Sequence, residues 1–110
     1  MLRDTIQKIE ERLAGNNSLT PESREELLRL LATLKTEVST LSQSDAEHAQ
    51  SIAGFTAVSA HEATREERNP ELMELSLKGL SQSVEGFEES HPKLVQVVNS
   101  ICTTLSNLGI

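Results

Sequence analysis

The stretch PESREELLRLLATLKTEVSTLSQ, residues 21–43, decides the fold class. Its large apolar side chains Leu27, Leu31, Leu34, Val38 and Leu41 stand 4, 3, 4 and 3 residues apart. That is the repeat of a helix burying one seam against near-parallel neighbours. Pro21 stands where a helix loses nothing to a missing N–H, and Thr20 before it offers a capping hydroxyl. The same pattern recurs outward in both directions. Leu2, Ile6, Ile9 and Leu13 precede it; Met73, Leu77, Leu80, Val84 and Phe87 follow Asn69-Pro70; Leu94, Val98, Ile101, Leu105 and Leu108 follow Ser90-His91-Pro92. No segment alternates apolar and polar residues between turn signals, as a half-buried strand would. The spacing predicts an all-α chain of heptad-patterned antiparallel helices over about 2–14, 21–43, 44–67, 70–89 and 92–108, in a single domain spanning 1–110.

With 110 residues the chain has the length of one domain. Leu, Ile, Val and Phe supply 29 of them, enough to exclude compositional disorder. There is no Trp, no Tyr and only two Phe, which leaves no platform for stacking bases and no aromatic cage for cations. Ten basic residues against 17 acidic ones give a net charge of −7, the wrong sign for phosphate backbones or anionic lipid. Neither nucleic acid nor membrane is an expected partner. One Cys excludes an internal disulfide framework and suits a reducing compartment. No charged-then-apolar leader opens the chain and no apolar run reaches the roughly 18–20 residues of a span, so the expected location is cytoplasmic.

Charge is segregated along the chain. Residues 1–43 carry six basic and seven acidic side chains, residues 44–91 three and ten, and residues 92–110 Lys93 alone. A surface helix normally turns charge outward, so the last helix is expected at the centre of an assembly, with Val95, Val97 and Cys102 broadening its stripe. In so short a chain a second copy is the expected cover. A thin Leu-rich bundle gains little over the roughly 1.5 kcal/mol per residue that ordering costs, and association enlarges what each seam buries. A coiled-coil-like or four-helix-bundle homo-oligomer is expected, dimer before tetramer, with Leu94, Val98, Ile101, Leu105 and Leu108 at its interface.

Segment 44–69 differs from its flanks. It holds three large apolar residues, Ile52, Phe55 and Val58, and a stripe of alanines at 46, 49, 53, 57 and 60. Small side chains bury little area and, at about 25 cal/mol per Å2, stabilise weakly. Acidic and thin in core, the segment is expected to be the exposed working surface of an interaction or scaffold module, taking basic or amphipathic helices of another protein. A kink is expected near residues 42–45 or at Gly54.

Residue types that carry chemistry are sparse. Asp45 and His48 stand at i,i+3, a chelating spacing on a helix, and with His61 they define the alternative of a metal- or small-ligand-binding bundle. The preferred reading is structural: both continue the 41-45-48-52-55 seam, where a polar residue sets register. His61-Glu62-Ala63-Thr64-Arg65 opens like a zinc-protease helix but has Arg65 where the second histidine must stand. His91 before Pro92 reads as part of a cap in which Ser90 accepts from the new helix. Cys102 reads as a small buried hydrophobe, and the five glycines form no phosphate-cradling cluster. Gly15 and Gly109 are expected as left-handed helix ends. No catalytic residue, cofactor or metal site is assigned, and no enzymatic activity is expected.

Four stretches carry a family likeness: Ser18-Leu19-Thr20-Pro21-Glu22, Gly86-Phe87-Glu88-Glu89-Ser90-His91-Pro92, Val98-Asn99-Ser100-Ile101, and the closing Leu105-Ser106-Asn107-Leu108-Gly109-Ile110. Over residues 1–43 and 70–110 the chain resembles a family of small bacterial proteins catalogued as a domain of unknown function. Segment 44–69 departs from the shorter members, in which a brief linker joins the two parts. The resemblance implies a cytoplasmic, helical protein and carries over no activity and no catalytic residue.

Overall fold

A computed structural model describes residues 2–17 and 19–108. The helix end expected at Gly109 lies outside the described residues. Five helices follow one another: α1 (Leu2–Ala14), α2 (Pro21–Ser42), α3 (Ala46–Thr64), α4 (Pro70–Ser83) and α5 (Pro92–Leu108). No strand occurs among the described residues.

The starts of three helices follow from local chemistry. Thr20 Oγ1 accepts from the Ser23 N–H at 3.1 Å and Asn69 Oδ1 from the Leu72 N–H at 3.1 Å, each just before a proline. Asp45 Oδ1 accepts from the His48 N–H at 3.1 Å, so the chain breaks after Ser42 and starts a new helix, while α3 runs through Gly54 without interruption. Ser90 Oγ instead meets His91 Nδ1 at 3.0 Å. α4 stops at Ser83, short of the expected 89. Gly86 has φ +94°, a left-handed backbone that cannot continue a right-handed helix and that favours glycine. It alone has positive φ among the described residues, so Gly15 ends α1 without the left-handed turn expected of it.

α2 packs on α3, α3 on α4, α4 on α5, and α5 returns to α2, so four helices close on themselves; α1 lies across α2 and α3. The seam quoted at the outset, Leu27 to Leu41, is buried to 1% exposure or less at all five positions. So are Leu94, Val98, Ile101 and Leu105, while Leu108 is half-buried. These are the side chains expected to face a second copy, and one chain covers them. The cover comes from α2, α3 and α4, because each heptad seam finds its partner seam within the same molecule. What α5 turns to solvent is, apart from Lys93 in its first turn, an uncharged polar face that includes Gln96, Asn99, Ser100 and Thr103.

The helix at the centre is α3, which touches all four others. Ala49, Ile52, Ala53, Thr56, Ser59, Ala60 and Ala63 are all buried. This reverses the expectation that segment 44–69 lies outside a stronger core. A helix with neighbours on several sides needs small side chains so that their backbones can approach, and the neighbours' leucines supply the apolar volume. Its buried Thr56 turns back to the helix's own backbone, Oγ1 donating to the Ile52 carbonyl at 2.7 Å. Ser59 Oγ has no hydrogen-bond partner among the described residues. Across α1, Glu10 pairs with Lys35 of α2 at 2.8 Å, and Arg12 reaches His61 Nδ1 of α3 at 2.8 Å.

Candidate interaction surface

Most large apolar side chains go inward, which makes the exceptions informative. Phe55 and Val58 on α3 are 41% and 49% exposed, and Leu72 and Leu75 on α4 are 42% and 65% exposed. Scattered exposed leucines need no explanation, but a cluster does. Helix geometry gathers these four. Phe55 lies directly over Gly79 of α4, and the connection between the two helices is five residues, 65–69. The pair is therefore an antiparallel hairpin in which positions 55, 58 and 62 ascend as 79, 75 and 72 descend. On α3, 48, 51, 55 and 58 fall on one edge; on α4, 72, 75, 79 and 82 do the same. A second heptad seam thus runs along the outside of the hairpin, and among the described residues no further helix lies upon it.

Both ends of this strip are polar. At one end Glu62, only 7% exposed, holds Arg65 at 2.9 Å. At the other, an open groove of about 260 Å3 is bounded by Ser51 and Phe55 of α3, Gly79, Gln82 and Ser83 of α4, and Glu85 beyond it. His48 closes the groove. Its Nδ1 meets Asp45 Oδ2 at 2.8 Å, and its ring stands edge-on to Phe87 at 5.4 Å, while Phe87 also meets the His91 ring edge-on at 5.7 Å.

The candidates named from sequence separate accordingly. Asp45 and His48 do meet, but Asp45 spends one oxygen on the α3 N-terminus and the other on the imidazole. His48 is exposed and stands in no internal seam, so the register role expected of the pair gives way to a cap. The cap wins because Asp45 precedes the first helical residue and its carboxylate meets the free N–H groups there. His61, thirteen residues further along, lies about 20 Å away on the same helix and bonds to Arg12 instead. No group of three His, Cys, Asp or Glu side chains able to hold a metal occurs among the described residues. Cys102 is half-buried with its thiol toward the Leu77 carbonyl at 3.9 Å, and burial pushes its pKa up. Leu72, Leu75 and Glu85 were not singled out from sequence. The available signal was that Leu72 and Leu75 lie off the 73-77-80-84 seam of their own helix.

Among the described residues no helix is long and apolar enough to cross a membrane. A family model described as a domain of unknown function, DUF4404, matches residues 27–110. The chain belongs to that family. The match begins inside α2, runs through segment 44–69, and takes in the rest of the closed four-helix unit. No curated protein and no solved structure matches.

Proposed function

We propose that this DUF4404 member is a non-catalytic interaction module whose working surface is the outer face of the α3–α4 hairpin. Its occupant is an amphipathic helix of another protein, with basic residues flanking its apolar stripe. One observation carries this reading: Phe55, Val58, Leu72 and Leu75, the exposed large apolar side chains among the described residues, lie on that face. A strip of this kind accepts a helix through anchors at i, i+3, i+4 and i+7.

Charge selects the occupant. The region 44–91 carries ten acidic and three basic side chains; Glu85 bounds the groove at one end of the strip, and Glu47 and Glu71 are exposed on the same two helices. A second copy docking by the same face would set like charges against each other, whereas a basic helix is attracted and steered.

The reading is tested with two synthetic amphipathic helices that share a leucine stripe and carry Lys or Glu on the polar face. The Lys helix should shift the methyl resonances of Val58, Leu72 and Leu75, and Leu75→Asp should abolish the effect. Unmoved methyls, or equal response to both helices, would overturn it.

A further inference from the structure

Resting on the docking face just proposed, we infer that the groove at its Phe55 end receives an arginine or lysine side chain of the docked helix. The walls are chemically one-sided. Ser51, Gln82, Ser83 and Glu85 bound the space together with His48, and no Lys or Arg does. Ser83 already donates to the Leu80 carbonyl at 2.6 Å, which leaves its oxygen lone pairs as acceptors. Glu85 forms no ion pair among the described residues, while Asp45 stands behind His48 and adds a second carboxylate to that end.

The Phe55 ring supplies the remaining wall. A long basic side chain lays its methylenes on apolar surface and keeps its charged head at a polar rim, and a cation over an aromatic face gains further attraction. Gly79 lets that wall lie where it does, since any side chain there would enter the space the ring now occupies. A neutral polar head would satisfy the same acceptors but not the carboxylate, and an anion would be repelled. From Gly79 to Leu72 is seven residues of helix, about 10 Å. The partner's cation therefore stands one to two turns beyond the leucines that meet Leu72 and Leu75.

The probe is a synthetic helix with a leucine stripe and an arginine one turn beyond each end, paired with a twin carrying citrulline, which has nearly the same shape without the charge. Both are titrated calorimetrically into the full chain. The arginine helix should bind roughly three- to tenfold more tightly. Glu85→Gln should abolish that preference, and Glu74→Gln, an equal loss of charge on the outer side of α4, should leave it. Leu75→Asp should bind neither helix. Equal binding of the twins to the unmodified chain, or a preference that survives Glu85→Gln, overturns the groove assignment and leaves the docking face standing. Failure of both helices to bind, or undiminished binding by Leu75→Asp, overturns the docking face and the groove with it.

Discussion

The ring of Phe55 rests on Gly79, so that a methyl group at position 79 would lie 3.1 Å or less from three of its carbons. A glycine inside a helix costs about 1 kcal/mol relative to alanine. Here its bare backbone lets α4 come close to α3 and lets a large ring lie over the hairpin, still 41% exposed. The contact sets the register of the hairpin and also defines the edge of its groove.

Gly79→Ala separates those roles. The helix gains up to about 1 kcal/mol in propensity, while the added methyl pushes the exposed ring aside. Urea denaturation should find stability within about 1 kcal/mol of the parent, and the Lys-bearing helix should bind more weakly because the ring no longer shapes the groove. A loss of several kcal/mol would show instead that the ring is held rigidly by its surroundings.

Leu105 and Leu75 offer the sharpest contrast among the leucines. Leu105 is 1% exposed and Leu75 is 65% exposed. A carboxylate in place of Leu105 is buried without a partner, which costs several kcal/mol, so Leu105→Asp should unfold the chain at every protein concentration. Leu75→Asp should change stability by no more than about 0.5 kcal/mol. Circular dichroism melts at two concentrations check both. A folded Leu105→Asp monomer would move that side chain from the interior to a surface.

What was legible in the sequence was whatever large side chains declare. Leu27, Leu31, Leu34, Val38 and Leu41 announce a seam by spacing, and Thr20-Pro21 and Asn69-Pro70 announce starts by chemistry. The central helix was not legible, because α3 earns its place with Ala49, Ala53, Ala60 and Ala63, whose smallness reads as weak core when area alone is counted. The identity of the partner seam was likewise hidden: spacing shows that Leu94 to Leu105 bury a stripe, and is silent on whether the cover is the same chain or another. Asp45 and His48 were misplaced for a different reason. Carrying a heptad across Ser42 needs an unbroken helix, which the kink expected near 42–45 already denied, and the break puts Asp45 at a cap.

Asp45→Ala should cost about 1 kcal/mol, the usual loss for an N-cap side chain. Asp45→Asn keeps an oxygen for the His48 N–H and should cost less. Its pair with His48 is solvent-exposed, and such pairs contribute little. Chemical denaturation of the two variants side by side measures the cap apart from the charge.

Cys102 should be a slow thiol. Burial raises its pKa, so at neutral pH the reactive thiolate is scarcer than for a free cysteine. Its alkylation rate in the folded chain should lie below that of a small thiol and climb only in alkaline solution. The sign for stability follows: the folded state holds the thiol proton more tightly than the unfolded chain, so this contribution is full at neutral pH and lost as pH rises through the folded-state value. Mass-resolved alkylation across pH reports the first, and denaturation midpoints at neutral and alkaline pH the second.

The interior of α3 makes two opposite predictions at neighbouring turns. Ala53 is 1% exposed and has helices close upon it, so Ala53→Leu must force methylenes into a filled space, at a typical cost of 1–3 kcal/mol. Ser59 is fully buried and its hydroxyl has no partner among the described residues. Removing an unsatisfied buried hydroxyl recovers its desolvation penalty, on the order of 1 kcal/mol, and alanine is also the better helix former. Ser59→Ala should therefore raise the melting temperature while Ala53→Leu lowers it. If α3 were an exposed segment beside a separate core, both changes would be near neutral, and deleting residues 46–67 would leave the remaining helices folded. With α3 as the common neighbour of the other four, that deletion should instead abolish cooperative unfolding altogether.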